Sequence, residues 1–122
     1  ESVHFGRTEA LEPLDALTEL LLQPLPRTEA LRLGISVWYA YLARATADPR
    51  IREILAKASS GTLEYAARLL EQAGAPTQEA ERLIALSNGL AQAAMVGAVT
   101  VEGAARVLRQ EVDSLKSLST RR

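Results

Sequence analysis

Cysteine is absent from the 122 residues, which excludes disulfides, thiol nucleophiles and thiolate metal sites and suits a reducing cytoplasm. Histidine occurs once, as His4, so any acid–base or nucleophilic constellation would rest on carboxylates, lysine or serine alone. Neither sign of charge dominates: 14 basic and 15 acidic residues are interspersed and leave a net charge of −1. A nucleic-acid surface is normally basic and clustered, and the closing Arg121-Arg122 is too short to serve as a basic arm. Long apolar runs are also missing. The longest stretch without a charged residue, Leu83–Val101, contains Ser87, Asn88, Gln92 and Thr100, which fits a buried helix better than a membrane span. No secretory signal opens the chain. Its first residue is Glu1, as expected of a fragment, a processed chain or an ordered remainder. No phosphate-cradling glycine loop, nucleophile elbow or dinucleotide fingerprint occurs. Glu1-Ser2-Val3-His4 matches the Glu-x-x-His pattern of carboxylate-bridged metal bundles, but such sites need two of these motifs plus further glutamates. No catalytic residue, metal or cofactor is therefore expected.

What is present is helix-forming. Alanine and leucine dominate, with Glu, Arg and Gln beside them. The pattern predicts an all-α domain of about five helices. Residues 1–11 fit either a loop or the frayed end of an earlier helix. Pro13 suits a first turn, Leu14, Leu17, Leu20 and Leu21 follow at helical spacing, and Pro24 and Pro26 end the helix. A second helix over about 27–47 carries the stripe Leu31, Ile35, Trp38, Leu42 and Ala45. Asp48-Pro49 is a cap followed by a first-turn proline. The third helix then places Ile51, Leu55, Ala58, Thr62, Tyr65 and Leu69 on one side, and Gly74 is its C-cap glycine. Thr77 is the expected cap of a fourth helix over about 78–98, and Thr100 that of a fifth over about 101–118.

The fourth helix is apolar nearly all round. Its rows are Leu83, Ser87, Leu90, Ala94; Leu86, Gly89, Ala93, Val96; and Ile84, Asn88, Ala91, Met95. The fifth has a core row of Ala104 or Ala105, Leu108, Val112 and Leu115, beside a mixed row of Gly103, Val107, Gln110, Ser114 and Leu118. Together they carry more coverable surface than a five-helix monomer easily hides. The rows could be packed inside one chain, but a helix pair from each of two subunits, forming a dimeric four-helix interface, is the better account of the excess. Gly89 costs ~1 kcal/mol relative to alanine inside a helix, and with Ala93 it would admit another helix closely. The scarce aromatics cluster: Trp38, Tyr39 and Tyr41 share one turn, and Tyr65 lies on the third helix's stripe. With Asn88 and Met95 they fit either ordinary core or the wall of a mostly apolar ligand cavity with a few polar anchors.

The order of segments resembles the C-terminal domain of TetR-family transcriptional regulators over about residues 12–118. The segments are Val37-Trp38-Tyr39-Ala40-Tyr41-Leu42, Asp48-Pro49, Leu69-Leu70-Glu71-Gln72-Ala73-Gly74, Leu83-Ile84-Ala85-Leu86-Ser87-Asn88-Gly89-Leu90, and a last helix from Val101. The resemblance implies a single effector-binding and dimerisation domain over 1–122. Residues 1–11 would be the remnant of a linker to an N-terminal helix-turn-helix head, through which alone DNA would be bound. It implies a cytoplasmic homodimer with no membrane contact, pairing through Leu86, Gly89, Ala93, Val96, Val107, Gln110 and Leu118. It also implies a cavity for a small hydrophobic effector, with candidates Trp38, Tyr41, Tyr65, Leu69, Asn88 and Met95. Asn88 stands where relatives often have Asp, so this position offers no anionic anchor. Two other readings predict different features. A helical protein–protein interaction module would fill the core around Trp38 and Tyr65. A carboxylate enzyme would turn acid pairs inward, whereas Glu64, Glu71, Glu79 and Glu81 read as solvated helix-face charges.

Overall fold

Local chemistry starts and stops each helix close to where the sequence predicts. The structure, a computed structural model, describes residues 12–120, with side chains through Lys116. The Glu1–His4 motif and the 1–11 segment lie outside those residues. Five α-helices and no strands occur among the described residues: α1 (Glu12–Leu22), α2 (Glu29–Ala45), α3 (Pro49–Gln72), α4 (Glu79–Met95) and α5 (Val101–Thr120). No helix among them is long and apolar enough to cross a membrane.

The caps are specific. Thr28 Oγ1 accepts from the Leu31 N–H at 3.1 Å and opens α2. Asp48 Oδ1 accepts from the N–H groups of Arg50 and Ile51, ahead of Pro49 at the start of α3. Thr100 Oγ1 accepts from Gly103 N–H at 2.9 Å and opens α5. Thr77 does not cap α4: Gln78 occupies that position without a side-chain bond. A tight turn replaces the cap, with Glu79 N–H reaching Pro76 C=O and Ala80 N–H reaching Thr77 C=O. At the far end of α3, Gly74 adopts φ +76° and Ala75 N–H returns to Leu70 C=O at 2.9 Å. The same closure ends α4 earlier than the expected 98. Gly97 adopts φ +78° and Ala98 N–H returns to Ala93 C=O at 2.8 Å. Positive φ costs glycine nothing, which is why the reversal falls there.

α1 is the central element and packs against α3, α4 and α5. Leu17, Leu21 and Leu22, with Leu25 just beyond the helix, are essentially buried. They meet Leu69 and Leu70 of α3, Leu83 and Ala91 of α4, and Leu108, Val112 and Leu115 of α5. Each fully buried leucine or valine contributes ~1.5–3 kcal/mol relative to exposure. The predicted α5 row is buried throughout, including both Ala104 and Ala105.

One polar group enters this core. Leu21 C=O belongs to the last turn of α1, where carbonyls lose their helical donors. The Ser87 hydroxyl from the middle of α4 donates to it at 2.6 Å, and Ser87 is the only buried polar side chain among the described residues. On the opposite side Arg82 of α4 bonds Glu79 at 2.7 Å and Glu111 of α5 at 2.8 Å. Those partners raise the pKa of its guanidinium further. Half-exposed, this cluster orients α5 on α4 more than it stabilises the fold.

Candidate functional site

α2 is the exception to the packing. It has 17 residues, most of them apolar, yet Ala45 at its last turn is its only buried one. Its main neighbour is α3. Two arginines pin its ends. Arg52 of α3 donates to the carbonyls of Ala45 and Thr46, both at 3.2 Å, where the helix C-terminus lacks donors. Arg32, in the second turn of α2, donates to Met95 C=O at 2.8 Å, at the C-terminal end of α4. Between these ties α2 stands off from α4.

The space between them is a solvent-open cavity of about 880 Å³, bounded by α2, the middle of α3, the face of α4 and the end of α1. That volume lies within the ~300–1,000 Å³ range of small-molecule sites. The predicted α2 stripe faces it: Leu31, Ile35, Trp38 and Leu42 line the wall, and so does Gly34. A Cβ added to Gly34 would meet nothing within 4 Å, so this turn of α2 leaves volume open. Leu20 and Leu63 add apolar floor, with Ile84 from α4. Polar side chains are fewer: Gln23, Tyr39, Ser59, Thr62, Glu81, Ser87, Asn88 and Gln92. Partial burial raises the Tyr39 pKa above its ordinary value, so the phenol stays protonated, a neutral donor and acceptor.

The structure brings together two of the six residues named from sequence. Trp38 and Asn88 lie on the cavity wall. The other four do not line it. Tyr41 is 48% exposed, one turn from Val37 and two from Leu33, which are exposed with it on the outer face of α2. Tyr65 is exposed, with the Arg68 guanidinium 5.7 Å from its ring centroid. Leu69 belongs to the packed core. Met95 is half-buried and presents its carbonyl to Arg32. Tyr39 and Gln92 line the wall, as does Glu81, which the sequence places on a solvated helix face. Tyr39 belongs to the aromatic cluster that the sequence offers as a possible wall; the signal that could have found Gln92 is its place one turn after Asn88.

The positions named for pairing lie elsewhere, on α4 and α5. Leu86, Ala93 and Val107 are half-buried, Gly89 and Gln110 are exposed, and Val96 is 77% exposed. A Cβ on Gly89 would meet nothing within 4 Å within this chain. Leu118 lies on α5 beyond the described side chains.

Comparison with known families gives one result that covers most of the chain: the family described as BetI-type transcriptional repressor, C-terminal, matches residues 13–116. No curated protein and no solved structure matches the chain.

Proposed function

The chain belongs to the family of BetI-type transcriptional repressor C-terminal domains, and from that premise we propose that it senses a small hydrophobic effector and dimerises on behalf of a TetR-like repressor. The observation that carries the effector reading is the cavity of about 880 Å³ beside α2. A helix so apolar, packed mainly on α3 and standing off from α4, gains contact area when an apolar molecule enters. Dimerisation is the role assigned to the α4–α5 row of Leu86, Gly89, Ala93, Val96, Val107, Gln110 and Leu118. The surface available at Gly89 and Val96 supports that role. Trp38 and Asn88 are assigned to the effector, with Tyr39 and Gln92 beside them.

DNA contact is assigned to a separate helix-turn-helix head, and the repressor to the cytoplasm. Two heads on one dimer enter successive major grooves when they sit ~34–36 Å apart. An effector that favours a conformer with another spacing weakens DNA binding by the coupling between the sites, typically ~1–3 kcal/mol. No catalytic role is proposed.

Gly34→Leu tests the effector site. A leucine there projects into open volume and replaces a poor helix former, so the melting temperature should not fall. Titration with n-octanol and n-hexanol, read by Trp38 fluorescence, should give saturable binding to the native chain and at least about tenfold weaker binding to the variant. Equal binding to both would remove the cavity from the account.

A further inference from the structure

Of the side chains that line the cavity, Glu81 alone carries a charge. The neighbouring acids are compensated: Glu79 and Glu111 share Arg82. Glu81 makes no ion pair or side-chain hydrogen bond among the described residues. It lies in the first turn of α4. No lysine or arginine lines the wall. The arginine nearest in sequence to the α2 stripe, Arg32, is turned to the Met95 carbonyl. Asn88, Gln92, Thr62 and Ser59 are neutral. The cavity therefore joins an apolar body to a single uncompensated negative charge, with the Trp38 ring on the wall.

From this we infer that Glu81 selects the charge of the effector, and that the cavity takes a lipophilic amine: an apolar chain or ring system bearing one ammonium group. The apolar part lies among Leu31, Ile35, Trp38 and Ile84, and the ammonium donates to the Glu81 carboxylate. A ligand with a carboxylate head meets repulsion at Glu81 and no basic group to offset it. A neutral alcohol of the same length gains the apolar contacts alone. This inference rests on the proposed effector site and deepens it.

Three eight-carbon probes separate the terms: n-octylammonium, n-octanol and octanoate, each below its micelle concentration and read by the fluorescence of Trp38, the single tryptophan. Because Glu81 is solvent-exposed, its pairing has the modest strength of an exposed ion pair. The native chain should bind octylammonium about fivefold more tightly than octanol at low salt, and octanoate more weakly than either. Raising the salt toward 1 M, where the screening length is ~3 Å, should shrink that preference. In Glu81→Gln the ratio of octylammonium to octanol affinity should fall to about one, and Glu81→Arg should reverse the order in favour of octanoate.

The outcomes are distinguishable. Octanol binding without a cation preference, or a preference that survives Glu81→Gln, would overturn the charge selection and leave the apolar cavity standing. Failure of all three probes to bind would overturn the effector site itself, and the selection with it.

Discussion

Ser87→Ala isolates the one polar tie in the core. The Ser87 hydroxyl donates to Leu21 C=O at 2.6 Å across 66 residues of sequence, and Ser87 is 1% exposed. Removing it deletes the bond and leaves a carbonyl at the end of α1 without its donor. Leu25 N–H, four residues after Leu21, goes to Leu22 C=O at 3.1 Å, and Pro24, three residues after Leu21, has no N–H. An intramolecular hydrogen bond contributes a net ~0.5–1.5 kcal/mol, and an unsatisfied buried acceptor costs ~1–3 kcal/mol. Alanine returns a few tenths through helix propensity. The expected loss is about 2 kcal/mol, or a melting temperature lower by about 8 °C for a domain of this size. Ser114→Ala is the internal control. Its hydroxyl makes the same kind of bond, to Gln110 C=O at 3.1 Å, but exposed to water. There the change should lie within about 0.5 kcal/mol. Urea unfolding at one fixed protein concentration gives both values, the fixed concentration holding any association constant. Equal effects of the two substitutions would refute the argument that burial gives the Ser87 bond its weight.

Two further outcomes follow from the geometry. Gly97→Ala, at φ +78° after α4, should cost about 1 kcal/mol by the same unfolding measurement, because a Cβ disfavours the left-handed conformation. Trp38→Ala should impair induction in a reporter assay with the intact repressor while leaving its oligomeric state unchanged, since Trp38 lines the cavity and lies on α2, away from the α4–α5 row; unaltered induction would contradict its role.

Much of the fold is legible in the sequence because its signals are local. Pro24 with Pro26, Asp48-Pro49, Gly74 and Thr100 act through their own backbone neighbours, and the helices end near them. Gly97 acts in the same local way, but it hides in a run of small apolar residues that continues the helical period, so the expected end of α4 falls too late. The Ser87–Leu21 bond joins residues 66 apart and has no local signature. Periodicity was least informative at the candidate site. It shows that Leu31, Ile35, Trp38 and Leu42 share a face, but not whether that face meets side chains or space. In α3 the row from Ala58 to Leu69 divides the same way: Ala58 and Thr62 line the cavity, Leu69 enters the core, and Tyr65 turns outward under Arg68. A helix that crosses from one environment to another gives a single stripe two roles.

The central claim, a dimerising sensor domain, is tested most directly by solution mass from light scattering across a range of concentrations, for the native chain and for Gly89→Arg. A Cβ added at Gly89 meets nothing within 4 Å in one chain and Gly89 is exposed, so the substitution reports on pairing, with circular dichroism as the check on the fold. The account predicts a native mass near twice 13.2 kDa and a Gly89→Arg monomer with unchanged helical circular dichroism. A native chain that remains at the single-chain mass from the lowest to the highest concentration would contradict it.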